Sequence, residues 1–218
     1  MRERIRGFYS ILDAHDEALA RILVRPVELG GCGSNVLQVR LKPASVAEIT
    51  LAARMARAVC DEYGALCIVN DRVDIALVVG ADGVHLGQND LPIDKARAVV
   101  ERMTQTRASE RPFLIGISTN TRAQIEAAVA ADADYVAFGP VFPTATKTDA
   151  NPVRGLSGLR RAVAAARGIP VVAIGGITPD RADDIARTGA AAACAIDSVN
   201  HALDVARAGA RLGASFLE

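Results

Sequence analysis

The sequence has no tryptophan, and aromatic residues make up only 4% of it. Its core must therefore be built from Ala, Val, Ile and Leu, and the stacking platforms of single-strand binders are not expected. Net charge is missing too: 25 Lys and Arg balance 25 Asp and Glu. Nucleic-acid-binding domains usually carry a clustered basic excess, so no nucleic-acid partner is expected, and any bound anion should be small and held locally. No apolar run approaches the roughly 18 residues of a membrane span. The apolar stretch after Phe8 is cut short by Asp13, too soon for a secretory leader. These absences lead to the expectation of a cytoplasmic protein with no membrane contact. Cys32, Cys60, Cys67 and Cys194 lack C-x-x-C spacing and read as small hydrophobes. Linkers and low-complexity tracts are also absent, and 218 residues, set against about 150 per domain, favour one domain spanning 1–218.

What is present is an alternation. Short runs rich in β-branched residues fall at 8–12, 36–41, 66–69, 83–86, 113–117, 135–138, 170–174 and 191–196, each followed by a segment of helical spacing. The clearest helices are expected at 46–63, 122–131, 179–188 and 199–212. Ser45, Thr121 and the pair Thr178-Pro179 provide start signals. Eight βα units in this length predict an α/β protein with a single (β/α)8 TIM barrel. An open doubly wound sheet is the alternative, but no G-x-G-x-x-G turn follows the first strand.

Barrel chemistry sits at the C-terminal ends of strands. There the sequence places Asn70-Asp71, Gln88-Asn-Asp90, Ser118-Thr-Asn120, Thr144-Ala-Thr-Lys147 and Gly175-Gly176. Alternation in Gln38-Val-Arg40-Leu-Lys42 puts two cations on one face of the second strand, where they call for an anion. Asp71 and Asp90 end neighbouring strands and could reach one cation. Oxygen-only ligands suit Mg2+ shared with substrate phosphates. Gly175-Gly176 offers backbone N–H groups at a helix mouth, a frequent phosphate site in barrels. The loop from Gly139 to Gly155 reads as a lid carrying Lys147.

Five motifs in order along the chain resemble the thiamine-phosphate synthase family: Gln38-Val-Arg-Leu-Lys42, Val69-Asn-Asp-Arg-Val-Asp74, Gly83-Val-His-Leu-Gly-Gln-Asn-Asp90, Gly139-Pro-Val-Phe-Pro-Thr-Ala-Thr-Lys147 and Ala173-Ile-Gly-Gly-Ile-Thr178. The resemblance implies a transferase of thiamine biosynthesis that joins 4-amino-2-methyl-5-hydroxymethylpyrimidine diphosphate to a thiazole phosphate. It implies Mg2+ and no organic cofactor, with phosphorylated small molecules as the partners; a homo-oligomer is compatible with it. It implies that Gln38, Arg40, Lys42, Asn70, Ser118 and Lys147 hold the pyrimidine diphosphate, with Arg40, Lys42, Lys147 and Ser118 acting in catalysis. Asp71 and Asp90 would ligate Mg2+, Thr144 and Thr146 would contact the thiazole phosphate, and Gly176 with the backbone near Ile196 would receive its phosphate. Leu41, Ala192 and Asp197 depart from the family pattern, and a carboxylate at 197 would repel a phosphate if it faced the site. His15, His85 and His201 read as packing or surface residues. Two other readings are a thiazole tautomerase on the same barrel and a non-catalytic sensor of a phosphorylated ligand. Retention of Arg40, Lys42, Asn70, Asp71 and Asp90 argues against the tautomerase.

Overall fold

The computed structural model describes residues 1–105, 112–144 and 152–216. Its strands are β1 (Gly7–Leu12), β2 (Val36–Val39), β3 (Leu66–Asn70), β4 (Gly83–Leu86), β5 (Leu114–Thr119), β6 (Tyr135–Phe138), β7 (Val171–Ile174) and β8 (Ala192–Ala195). All neighbours pair in parallel, and β8 closes on β1 to make the barrel that the alternation predicts.

Residues on each strand divide between two cores. Phe8, Leu37, Val69, Val84, Ile115 and Val136 face the helices in one large apolar cluster. Tyr9, Val36, Ile68, Leu114, Tyr135, Val172 and Cys194 fill the barrel interior in a second. Both faces are buried, so the strands read as continuous apolar runs rather than half-polar ones. Small residues make room for the few large ones inside. Gly116 pairs with Tyr135 in the ladder, and a Cβ at Gly116 would lie 2.0 Å from the tyrosine ring.

The helices are α1 (Glu17–Val24), α2 (Val46–Tyr63), α3 (Val73–Val79), α4 (Ile93–Gln105), α5 (Arg122–Ala130), α6 (Gly155–Ala165), α7 (Ala182–Ala186), α8 (Asp197–Asn200) and α9 (Val205–Ala214). Ser45 and Thr121 each close a reciprocal capping box, with Glu48 and Gln124 respectively. Thr178 makes no such cap: the segment expected as one helix over 179–188 is a 3-10 turn, Pro179–Arg181, followed by the short α7. The helix expected over 199–212 is likewise two, because Asp204 adopts extended backbone and caps a new start by accepting from the Arg207 N–H. Among the described residues no helix is long and apolar enough to cross a membrane.

Two similar struts tie the barrel's N-terminal end. Asp82, ahead of β4, accepts from the backbone N–H of Cys67 on β3 and pairs with Arg57 of α2. Asp134, ahead of β6, accepts from the N–H of Ile115 on β5 and pairs with Arg97 of α4 at 2.6 Å. The opposite rim carries the polar residues singled out from the sequence.

Candidate active site

Of the three residues expected on the inward face of the second strand, only Gln38 lies within it. It is buried, and its Nε2 donates to the Tyr9 hydroxyl at 2.8 Å. The strand ends at Val39, short of the expected 36–41. Arg40 still donates its N–H to the Leu12 carbonyl, but the chain then turns out toward Pro43, which has no N–H to continue the ladder. Arg40 is half-buried and makes no ion pair among the described residues, while Lys42 is exposed on the rim. A cleft lined by Leu41, Lys42, Asn70 and Asp71 opens beside it.

Lys42 reaches across to Asp71, with Nζ 2.6 Å from Oδ2. Asp71 follows the last residue of β3 and adopts φ 62°, a left-handed turn that Asp tolerates better than most residues. Its N–H donates to the His85 carbonyl at 2.8 Å. Asp90 lies in the turn after β4 and accepts from the Gly87 N–H at 2.6 Å. The two carboxyl groups are hydrogen-bonded to each other. Burial works against ionisation of Asp71, but the Lys42 ammonium and the bond with Asp90 outweigh it and hold its carboxyl below the ordinary range. Burial, then the bond to ionised Asp71, pushes Asp90 the other way. The two neighbouring carboxyl groups are thus pushed in opposite directions, Asp71 down and Asp90 up.

This donor set suits Mg2+. It offers carboxylate oxygens only, and among the described residues no cluster of three or more His, Cys, Asp or Glu could cage an ion. Two neighbouring carboxyl groups suit a hard cation that keeps waters and takes its remaining ligands from substrate phosphates.

Ser118 lies inside β5, which runs two residues past the expected end at 117. Its Oγ is 2.9 Å from His85 Nε2, and His85 Nδ1 is 3.1 Å from the Tyr135 hydroxyl. His85 is therefore part of the barrel's polar interior rather than an ordinary packing residue. The alternation Gly83-Val-His85-Leu, inward at Gly83 and His85, was the available signal. Tyr9 and Tyr135 are also missed by motif reading, although they are two of only three tyrosines and both fall on inward strand positions.

On the far side of the rim, Gly175 and Gly176 both have positive φ. A Cβ at Gly176 would lie 2.4 Å from the Pro143 carbonyl oxygen, so the close approach of the 140–143 segment itself requires glycine. The Gly176 carbonyl accepts from Arg181 Nη1 at 2.7 Å, and the Arg181 guanidinium stands 4.3 Å over the Phe142 ring. Arg181 adds a cation here that motif reading passes over. Ile196 is the half-buried residue leading into α8, and Ser198 ties this turn to the Ile177 carbonyl at 2.8 Å. Asp197 is 63% exposed and lies 3.6 Å from His201 one turn along its own helix. Thr144 is exposed at the end of a described segment, whereas Thr146 and Lys147 lie outside the described residues.

Fold and rim together define a (β/α)8-barrel enzyme of the kind suited to phosphorylated small molecules. The family model described as thiamine monophosphate synthase matches residues 8–199. The chain belongs to that family, whose work is in thiamine biosynthesis. It is 41% identical over 206 residues to thiamine-phosphate synthase of Methanospirillum hungatei, covering 93% of both chains. It is also 41% identical to the thiamine-phosphate synthase of Anaeromyxobacter dehalogenans, covering 99% of this chain and 90% of that one. Among solved structures, thiamine phosphate pyrophosphorylase from Pyrococcus furiosus superposes with a TM-score of 0.81 at 36% identity, covering 97% of this chain and 95% of that one.

Proposed function

We propose that this chain is a cytoplasmic thiamine-phosphate synthase. It couples 4-amino-2-methyl-5-hydroxymethylpyrimidine diphosphate to a hydroxyethylthiazole phosphate, giving thiamine phosphate and pyrophosphate. The observation that carries the reading is the meeting of Lys42, Asp71 and Asp90 at the ends of three neighbouring strands, beside inward Gln38.

In this reading Gln38, Asn70 and Ser118 hold the pyrimidine, and Arg40, Lys42 and Lys147 hold its diphosphate. Thr144 and Thr146 contact the thiazole phosphate, and Gly176 with the backbone near Ile196 receives its phosphate group. Asp71 and Asp90 are the residues that would hold Mg2+, which when bound neutralises charge on the diphosphate and eases pyrophosphate departure. The bond from the pyrimidine's exocyclic carbon to oxygen breaks first, with the electron pair leaving on pyrophosphate. The ring's 4-amino group stabilises the resulting cation, and the thiazole nitrogen lone pair forms the new C–N bond. No protein nucleophile is required. Arg40, Lys42 and Lys147 stabilise charge developing on the leaving oxygen, and the rim keeps the two reactants aligned.

The test is growth. A bacterial strain lacking its own thiamine-phosphate synthase should grow without thiamine when it carries this chain, and should fail with Asp71→Ala. Failure of the wild-type chain, made at normal levels, would count against the proposal.

A further inference from the structure

The barrel interior holds a chain of hydrogen bonds that no motif announces. Gln38 Nε2 donates to the Tyr9 hydroxyl at 2.8 Å, and the Tyr9 and Tyr135 hydroxyls are 2.8 Å apart. Tyr135 is 3.1 Å from His85 Nδ1, and His85 Nε2 is 2.9 Å from Ser118 Oγ. Each end of the chain is a residue that the synthase reading places against the pyrimidine substrate, and the three between them are buried.

The direction of this chain follows from donor and acceptor counting. An amide nitrogen only donates, so the Tyr9 oxygen accepts from Gln38. The Tyr9 hydrogen then needs an acceptor, and the Tyr135 oxygen is the one it has; a buried hydroxyl left without one is costly. Tyr135 in turn gives its hydrogen to His85 Nδ1. Burial pushes the ionisation of both phenols upward, which keeps both hydrogens in place. With Nδ1 accepting, the neutral imidazole carries its hydrogen on Nε2. That hydrogen goes to Ser118 Oγ, leaving the Ser118 hydroxyl hydrogen to point toward the barrel mouth. At the other end, Gln38 turns its amide nitrogen inward, with one N–H on Tyr9, and so presents its amide oxygen.

We propose that Tyr9, Tyr135 and His85 are positioning residues that fix Ser118 as a hydrogen-bond donor and Gln38 as an acceptor toward the substrate. An aminopyrimidine fits this pair of ends: its exocyclic amine supplies an N–H for Gln38, and its ring nitrogens supply lone pairs for Ser118. A pocket with both polarities fixed before the substrate arrives loses no reorganisation energy at the moment of reaction. Gly116 belongs to the same device, since its missing side chain is what lets the Tyr135 ring lie against β5.

The assignment rests on the synthase reading only for its kinetic consequence, and its structural half is tested separately. Nitrogen-15 spectra of histidine-labelled free protein, with His85 identified by its loss in His85→Gln, should show a single neutral tautomer with the hydrogen on Nε2. In Tyr135→Phe, Nδ1 loses its donor and the two tautomers should mix. An Nδ1–H tautomer in the wild type, or an unchanged spectrum in Tyr135→Phe, overturns the proposal whatever the enzyme makes. In turnover, Tyr135→Phe should lower kcat about tenfold, the scale of one lost hydrogen bond, with the KM for the pyrimidine diphosphate little changed. The double variant Tyr9→Phe/Tyr135→Phe should be slower than Tyr135→Phe, because Tyr9 holds the Gln38 end of the chain and Tyr135 the Ser118 end. A double variant no slower than Tyr135→Phe, or an unchanged kcat in Tyr135→Phe, overturns the positioning role.

Discussion

Asp71 and Asp90 differ in one respect that matters chemically. Lys42 stands on Asp71 and favours its charged form, whereas burial and the charge of Asp71 disfavour that of Asp90. A cation entering between them needs Asp90 in its charged form. Asp90 has its carboxyl raised, so its charged form gains as pH rises and is lost as pH falls through that raised value. Mg2+ affinity should therefore strengthen from acid toward neutral pH, and calorimetric titration across that range should show it; a flat profile would contradict the assignment. Asp71→Asn or Asp90→Asn should weaken Mg2+ activation at least about tenfold, the scale seen even for outer supports of metal ligands. Asp197 makes a contrasting case. Its sequence position predicts repulsion of the thiazole phosphate, but its side chain is exposed and turned toward His201. Asp197→Ser should leave the KM for the thiazole phosphate essentially unchanged in steady-state kinetics.

Elements were most legible where a local signal agrees with packing. The helix expected over 46–63 is α2 to the residue, because Ser45 and Glu48 close its start and Gly64, at φ 71°, ends it. Where side-chain spacing continues but backbone signals conflict, the reading fails. The apolar period through 199–212 is unbroken, yet Asp204 competes for the backbone and starts a second helix. Strand ends were misplaced for a related reason: the ladder stops where the partner strand stops, which no single strand records. The struts at the N-terminal end are a product of tertiary pairing and are invisible in the sequence. Asp134→Ala removes the acceptor for both Ile115 N–H and Arg97, and should cost about 2 kcal/mol in denaturant unfolding. Ser45→Ala should cost about 1 kcal/mol by loss of its cap. Loss of stability at Ser45 exceeding that at Asp134 would contradict the larger role of the Asp134 strut.

At the scale of the molecule, neutrality conceals a local arrangement. The barrel's repeat was readable because eight buried strands each leave the same apolar run, and the rim was readable because polar residues follow those runs directly. Asn70, Asp71 and Asp90 fall where that rule places them, Gln38 lies inside β2 instead, and Lys42 reaches Asp71 although it has left its strand. The interior relay was not readable in the same way. Two tyrosines and a histidine on three different strands meet only when the barrel closes, and each looks like ordinary core in isolation.

In the proposed function this rim joins two phosphorylated reactants. Purified protein given Mg2+, the pyrimidine diphosphate and the thiazole phosphate should release thiamine phosphate and pyrophosphate in equal amounts, measured together over time. Binding of the diphosphate with no thiamine phosphate formed would contradict the account and leave a barrel that only recognises its ligand.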